Sequence, residues 1–333
     1  MAAGAPRVLV TCRFPERIRH ELRRGFDLDE HDSDEPLPRL ELLARAGGVH
    51  GLAATPGDRI DAELLDAAGP GLEIVATFSV GTDHVDLEAA TARGVLVANT
   101  PGATTAPTAE LTIAVTLGLL RRVVEGDRLV RGGRPWRFSP TFMLGRGLVG
   151  LTLGLVGFGQ IGREVGRLAE AFGMRVVHHT RSGAGEPGWV PLDELLATAD
   201  VISLHCALTD ETRHLIDAAA LARTKPTAVL VNAARGAVVD EPALVEALRA
   251  GTIAGAALDV YEREPEVHPG LLELENVVLV PHLGSATAQA RDEMGAYCVA
   301  ALRGVLLEAH LPENVLNPQA DRRGLARSEL ASE

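Results

Sequence analysis

The chain has 333 residues, of which 46% are hydrophobic, and a formal net charge of −13 at neutral pH. This length predicts about two domains with ample hydrophobic cores. The acidic balance argues against binding to nucleic acid or to an anionic membrane, because both attract basic surfaces.

The sequence predicts a soluble, cytoplasmic protein. No N-terminal segment combines basic residues with an apolar stretch, and no apolar run reaches the roughly 18 residues that span a bilayer. Cys12, Cys206 and Cys298 are scattered and form no CxxC pair, so neither a disulfide framework nor a metal site is indicated. Lys225 is the only lysine and follows no glycine loop, which argues against P-loop and pyridoxal chemistry.

Strands and helices alternate in the first part of the chain. The predicted strands are 7–12, 49–54, 74–78 and 95–97, and the predicted helices are 15–24, 61–68 and a long one over 107–131. This alternation indicates an α/β unit with a parallel sheet, and no phosphate-binding loop accompanies it.

A second α/β unit begins after residue 150. Its predicted strands are 151–156, 174–179, 201–204, 228–232, 256–260 and 277–280, with helices over 161–172 and 285–308. Residues from 317 onward are rich in Arg, Ser, Glu and Asp, so we expect them to be frayed.

The first strand of this second unit runs directly into the sequence GFGQIG. Gly157 permits a tight turn, Gly159 lets a pyrophosphate approach the backbone, and Gly162 lets the next helix pack on the strand. The helix N-terminus offers free N–H groups and the positive end of a dipole to phosphates. Because a strand precedes this GxGxxG pattern and an amphipathic helix follows it, the pattern predicts a dinucleotide-binding site.

The end of the next predicted strand bears on which dinucleotide is bound. NAD sites usually place Asp or Glu about 20 residues after the glycines, where the carboxylate accepts from the ribose 2′-OH. Thr180 stands there instead, followed by Arg181 and Ser182. A guanidinium suits a 2′-phosphate, so the sequence favours NADP(H), with NAD(H) possible. The alternative is that Arg181 is a solvated surface charge.

Three polar residues follow three later strands. Arg235 lies in VNAARGAVVD, Glu264 in DVYEREP and His282 in VPHLGSAT. Because the carboxyl ends of the strands face the ligand crevice in doubly wound sheets, we expect these side chains to converge near the nicotinamide. Each alone could be an ordinary polar residue at a strand end, and the combination is the more specific signal.

These motifs, together with FSVGTDHVD and NTPGATTAPTAE in the first half, resemble the D-isomer-specific 2-hydroxyacid dehydrogenase family. The resemblance covers nearly the whole chain, with the motifs in the family's order. Within the family, SVGTDH, SPTFMLG and PHLGSAT are most similar to the glyoxylate/hydroxypyruvate reductases.

The resemblance implies an α/β fold with two doubly wound parallel-sheet domains. A Rossmann cofactor domain, residues 101–286, would be inserted into a flavodoxin-like substrate domain formed by 1–100 and 287–333.

The resemblance also implies a role for each polar residue. His282 would be the general acid that protonates the carbonyl oxygen as hydride reaches carbon, and Glu264 would keep its imidazole charged. Arg235 would hold the 2-oxo acid and polarise its carbonyl. The N–H groups of Val80 and Gly81 would bind the substrate carboxylate.

Further cofactor contacts follow from the same resemblance. Asp259 matches the position that faces the nicotinamide carboxamide, and the other expected contacts are Thr108, Gln160, Ile161, Cys206, Ala233 and Gly284. Ala106 and Ala207 depart from the Asp and Pro common at these positions, which predicts local loop differences. Trp136 lies on a segment that forms part of the dimer arm in related reductases, where it would be either an interface aromatic or a substrate contact reaching the neighbouring active site.

The resulting hypothesis is a homodimeric reductase that converts a small 2-oxo acid of the glyoxylate/hydroxypyruvate type to the D-2-hydroxy acid. One alternative is a non-catalytic dinucleotide sensor like the corepressors that share this fold. Another is a family dehydrogenase with a different substrate, such as phosphoglycerate.

Overall fold

Two units divide the chain in the computed structural model, which describes residues 4–327. The first unit contains the described residues up to Thr104 and from Thr287 onward, and the second is Thr105–Ala286. Among the described residues, no helix combines the length and the apolar character needed to cross a membrane.

The secondary structure follows the α/β alternation expected from the sequence. The strands are β1 (Arg7–Val10), β2 (Asp27–Glu30), β3 (Gly51–Ala54), β4 (Ile74–Thr77), β5 (Leu96–Ala98), β6 (Thr152–Val156), β7 (Arg175–His179), β8 (Val201–Leu204), β9 (Val229–Asn232), β10 (Gly255–Leu258), β11 (Val277–Leu279), β12 (His310–Leu311) and β13 (Ala326–Arg327). The α-helices are α1 (Glu16–Arg23), α2 (Arg39–Ala46), α3 (Ala62–Ala68), α4 (Leu87–Arg93), α5 (Thr105–Leu120), α6 (Val123–Arg131), α7 (Gln160–Ala171), α8 (Leu192–Thr198), α9 (Ala218–Ala222), α10 (Glu241–Ala250), α11 (Pro269–Leu272) and α12 (Ala288–Leu306). Two short 3₁₀ helices cover Gly236–Val238 and Pro318–Ala320.

The first unit is built on a parallel sheet with the strand order β2-β1-β3-β4-β5. Both faces are covered, so successive strand residues enter different cores. Val8 and Val10 pack with α1 and α12, whereas Leu9 packs on the opposite face with α2, α3 and α4. A short parallel pair, β12 and β13, joins two parts of the C-terminal segment.

The second unit contains a parallel sheet with the order β11-β10-β9-β8-β6-β7. Val156 packs with α8, α9 and α10, and Leu155 packs on the other face with α5 and α7. The winding direction reverses between β6 and β8, which makes the carboxyl end of β6 the position where doubly wound sheets bind ligands. The α/β class with two parallel sheets is therefore confirmed.

The single helix predicted over 107–131 is wrong. Arg122 adopts a left-handed backbone conformation, with φ of 55°, and separates α5 from α6. The two helices also differ in environment, because seven of the 16 residues of α5 are buried and none of the residues of α6 is. The prediction also omitted β2, α2, α4 and α8 to α11. The strand β2 has the polar sequence DLDE at the edge of its sheet, where no apolar pattern is required.

The fraying expected from residue 317 onward is also wrong as far as the described residues extend; residues 328–333 lie outside them. Asn317 is 2% exposed and its amide binds the backbone beside β5. Its Oδ1 accepts from Val97 N at 2.7 Å, and its Nδ2 donates to Val95 O at 2.9 Å and to Thr91 Oγ1 at 3.0 Å. These bonds attach the C-terminal segment to the sheet of the first unit.

We expect Asn317→Ala to lower the free energy of unfolding by about 2–4 kcal/mol, because it leaves the buried Val97 N–H and Val95 carbonyl without this partner. Urea-induced unfolding measures the change. Gln319→Ala, a change at an exposed position two residues away, should alter the free energy by less than about 0.5 kcal/mol. If Asn317→Ala and the wild type unfold at the same urea concentration, the Asn317 amide does not hold the C-terminal segment on the sheet.

Candidate active site

The turn after β6 brings three backbone segments together without side chains between them. Gly157 has φ of 95°, and a Cβ there would lie 2.5 Å from the carbonyl carbon of His205. A Cβ on Gly162 would lie 2.4 Å from Gly157 O. These two glycines therefore allow the close packing of β6, α7 and the turn after β8.

Gly159 leaves the N-terminus of α7 accessible. It is the N-cap residue of α7, and no described side chain caps the helix. Apart from Gly159 and its two chain neighbours, no described residue has an atom within 4 Å of an ideal Cβ at Gly159. The first N–H groups of α7 are therefore available to an anion, and the open space lets a pyrophosphate approach them.

The loop after β7 forms the edge expected for the adenosine ribose. Trp189 Nε1 donates to Thr180 O at 2.9 Å and so holds the start of the loop. Arg181 follows, with its side chain 71% exposed and its Nη1 3.5 Å from Glu211 Oε2. An accessible guanidinium without an acid at position 180 fits a 2′-phosphate. The glycine turn and this edge together fit a phosphorylated dinucleotide.

The remaining predicted cofactor contacts fall into two groups. The first group lies at the carboxyl edge of the same sheet, with Gln160 and Ile161 at the start of α7 and Ser182, Cys206 and Ala233 in the loops after β7, β8 and β9. Burial raises the pKa of the Cys206 thiol, so the thiol is neutral near pH 7.

The second group, Thr108, Asp259 and Gly284, forms one cluster. Thr108 Oγ1 donates to Gly284 O at 3.1 Å. Asp259 is 2% exposed, and its two oxygens accept from Leu283 N at 2.5 Å and Gly284 N at 2.9 Å. Burial raises the pKa of this carboxyl even though two N–H groups donate to it. Asp259 thus anchors the turn that follows His282, a role that sequence reasoning missed.

Glu264 and His282 are in direct contact. His282 Nδ1 lies 2.8 Å from Glu264 Oε2, and Glu264 Oε1 accepts from Tyr261 N at 3.0 Å. The backbone of His282 is left-handed, with φ of 53°, and its N–H donates to Asp259 O at 2.8 Å. The two side chains are 41% and 35% exposed, so a small molecule can reach the imidazole.

The charge state of Glu264 follows from these neighbours. Burial alone would raise its pKa, but the hydrogen bond and charge of His282, the N–H of Tyr261 and the charge of Arg235 lower it below the usual glutamate value. Because its pKa is lowered, the Glu264 carboxylate contributes stability to the folded protein at pH values above the ordinary pKa of a glutamate, and this contribution is lost as the pH falls through the lowered pKa.

Arg235 follows β9, which lies next to β10 in the sheet. A Cβ at Gly236 would lie 1.8 Å from the carbonyl carbon of Tyr261, so the turn at Arg235 rests directly on the segment that leads to Glu264. Asn232 fixes the other side of this turn, because its side chain accepts from Ala234 N at 3.0 Å and donates to Arg235 O at 2.9 Å. Sequence reasoning missed Asn232, although a polar residue that ends an apolar strand before Arg was a usable signal.

The first unit carries its own predicted contact, the turn at Val80 and Gly81 after β4. Ser79 Oγ donates to Gly81 O at 2.6 Å, and Asn99 Nδ2 donates to Val80 O at 2.9 Å. Among the described residues, the N–H groups of Val80 and Gly81 have no protein acceptor. Two N–H groups in a turn that is held by its carbonyls can bind a carboxylate.

Comparisons with known proteins agree with this geometry. Residues 113–284 match the family model of the D-isomer specific 2-hydroxyacid dehydrogenase, NAD binding domain. A glyoxylate reductase from Aeropyrum pernix is 45% identical over 325 residues, which cover 94% of this chain and 96% of that protein.

Two crystal structures extend the comparison to the fold. A Thermus thermophilus protein shares 48% identity with a TM-score of 0.89, over 93% of this chain and 99% of that one. The NADPH-dependent glyoxylate/hydroxypyruvate reductase from Sinorhizobium meliloti, in complex with NADP and malonate, shares 34% identity with a TM-score of 0.84, over 96% and 98%. The chain therefore belongs to the D-isomer specific 2-hydroxyacid dehydrogenase family of oxidoreductases.

Proposed function

We propose that this protein is an NADPH-dependent reductase of small 2-oxo acids of the glyoxylate/hydroxypyruvate type, with a D-2-hydroxy acid as product. The observation that carries the proposal is the 2.8 Å contact between His282 and Glu264, with the charge of Arg235 close enough to lower the pKa of Glu264. These groups follow neighbouring strands of the sheet whose first turn is the glycine turn. The glyoxylate reductases among its relatives support the substrate class.

Substrate binding uses charge and backbone N–H groups. In this proposal the first unit is the substrate domain, and the N–H groups of Val80 and Gly81 hold the substrate carboxylate. The second unit is the cofactor domain and supplies Arg235, whose guanidinium binds the 2-oxo acid and draws electron density toward the carbonyl oxygen.

In this proposal His282 is the general acid that donates the proton. Glu264 accepts from Nδ1, which fixes the orientation of the ring and leaves Nε2 to donate a proton to the carbonyl oxygen of the substrate. When bound, the reduced nicotinamide supplies the hydride that the carbonyl carbon takes up. The carboxylate of Glu264 stabilises the imidazolium before the transfer and retains the neutral ring afterwards.

The cofactor preference rests on the ribose edge. Thr180 offers no carboxylate to the 2′-OH, and the exposed guanidinium of Arg181 suits a 2′-phosphate. We propose that NADPH is preferred and that NADH is used less efficiently.

The assembly is proposed from an exposed apolar surface on the second unit, the arm surface, formed by α6 and residues 132–144. Its apolar side chains, with their exposed fractions, are Val123 (58%), Val130 (62%), Trp136 (57%), Phe138 (87%), Phe142 (40%) and Leu144 (64%). The rings of Trp136 and Phe142 stack at 6.4 Å. Six exposed apolar side chains on one helix and the segment that follows it favour burial against a second copy, so we propose a two-fold homodimer.

Cofactor preference can be tested at Arg181. We expect Arg181→Ala to weaken NADPH binding by about 10- to 100-fold, because a charge-assisted pairing with the 2′-phosphate is lost, and to leave NADH binding within about twofold. Fluorescence titration and kcat/KM with each cofactor measure this. The control is Arg167→Ala, which removes an exposed α7 guanidinium paired with Glu164. Equal use of both cofactors by the wild type would contradict the preference.

The general acid can be tested with His282→Ala. We expect kcat for glyoxylate or hydroxypyruvate to fall by roughly 10²–10⁴ while NADPH binding is retained. His20→Ala, at an exposed position on α1, is the control for loss of a histidine. Wild-type kcat in His282→Ala would rule out this acid, and negligible turnover by the wild type would favour the sensor alternative.

Glu264→Gln tests whether the Glu264 carboxylate stabilises the imidazolium, separately from the proton donation by His282. The high-pH limb of kcat/KM for reduction should move to lower pH, because the imidazolium loses its anionic partner, while kcat at the optimum falls less than in His282→Ala. An unshifted limb would show that the carboxylate charge does not support the acid.

The dimer can be tested by light scattering. We expect a mass near twice the 35.1 kDa of the chain. Val130→Glu should shift the protein toward the monomer, because a charge would be buried in the interface. Leu40→Glu, at an 82% exposed position on the first unit, should leave the mass unchanged. A wild-type monomer at micromolar concentration would overturn the proposal.

A further inference from the structure

The loops after β7 and β8 stand on either side of the glycine turn. Strand β6 lies between β7 and β8 in the sheet, and Gly157 contacts both neighbours. Its N–H donates to His179 O at 2.9 Å, and its Cα lies against the backbone of His205. Arg181 projects from the first of these loops and Glu211 from the second, so their 3.5 Å ion pair links the two walls of the crevice.

Glu211 is held in place by its own loop. Thr209 Oγ1 donates to Glu211 Oε2 at 2.6 Å, and Thr209 N donates to Thr212 Oγ1 at 2.7 Å. The hydrogen bond from Thr209 is the main cause that lowers the pKa of Glu211, with its own N–H and Arg181 contributing. The carboxylate is therefore ionised and oriented toward Arg181 at neutral pH.

We propose that Glu211 competes with the 2′-phosphate of the cofactor for Arg181 and thereby sets the ratio of NADPH to NADH use. This inference rests on the proposed cofactor site. A ribose with a free 2′-OH leaves the Arg181–Glu211 pair intact. A 2′-phosphate must share or displace that pair, because both anions compete for one guanidinium. Because both side chains are about two-thirds exposed, we expect a moderate effect that weakens with salt.

The test uses two cofactor fragments, so it does not depend on turnover. Isothermal titration calorimetry measures the binding of adenosine 2′,5′-bisphosphate and of adenosine 5′-monophosphate to the whole protein. We expect Glu211→Gln to bind the bisphosphate about 2- to 5-fold tighter and the monophosphate within 1.5-fold of the wild type. In the Arg181→Ala background, the same change should improve bisphosphate binding by less than about 1.5-fold.

Glu246→Gln is the matched control. Glu246 lies on α10 in the same unit, pairs with Arg249 at 3.2 Å and is 75% exposed, so its substitution removes an equal charge outside the loops after β7 and β8. We expect no change in the affinity for either fragment. Tighter bisphosphate binding in both variants would show a general charge effect and overturn the role of Glu211.

The outcomes separate the inference from the proposed cofactor site. If Arg181→Ala binds the bisphosphate as the wild type does, the proposed NADPH preference fails and the inference fails with it. If Arg181→Ala weakens the bisphosphate but Glu211→Gln does not strengthen it, only the inference fails. Raising the ionic strength should reduce the gain in Glu211→Gln, and a gain independent of salt would contradict an ionic competition.

Discussion

The second unit depends on backbone segments that touch with no room for a side chain. At Gly157 and Gly162 the contact brings the N-terminus of α7 over the end of β6, and at Gly236 it sets the turn of Arg235 on the segment before Glu264. The functional groups are therefore positioned by the sheet and its turns rather than by flexible side chains. A Cβ at any of these glycines would force α7 or the turn of Arg235 to move.

Two carboxylates beside His282 show how the environment assigns different roles to one chemical group. Asp259 is buried against two backbone N–H groups and its pKa is raised, so it acts as an anchor for the turn. Glu264 is partly exposed, accepts from the imidazole, and its pKa is lowered. Asp259 holds the backbone of the turn that follows His282, and Glu264 contacts the Nδ1 of its imidazole.

Much of the fold was readable from the sequence because it depends on local pattern, as the apolar strands and the glycine turn show. Strand ends and short motifs also marked Arg235, Glu264 and His282 as candidate site residues, and the structure places the side chains of Glu264 and His282 in contact. The break between α5 and α6 at Arg122 could not be predicted, because it depends on a left-handed backbone conformation at a position with neither glycine nor proline. The edge strand β2 lacks an apolar pattern because none of its four residues is buried.

Long-range hydrogen bonds could not be predicted from the sequence for a related reason. Asn317 was part of a polar stretch, and its burial results from a partner more than two hundred positions away. The contact between Arg181 and Glu211 likewise joins two loops that only the sheet order brings together. The sequence shows which side chains require hydrogen-bond or ion-pair partners, but the tertiary structure determines whether solvent or protein supplies them.

The placement of α12 has a consequence for synthesis on the ribosome. This helix packs against α1 and β4, and Met294 and Leu302 contribute to the core of the first unit. All of Thr105–Ala286 is translated between β5 and α12. The second unit can therefore complete its core on the ribosome while one face of the first sheet still lacks its longest helix. During that interval the nascent first sheet exposes an apolar face that a chaperone can cover until α12 is translated.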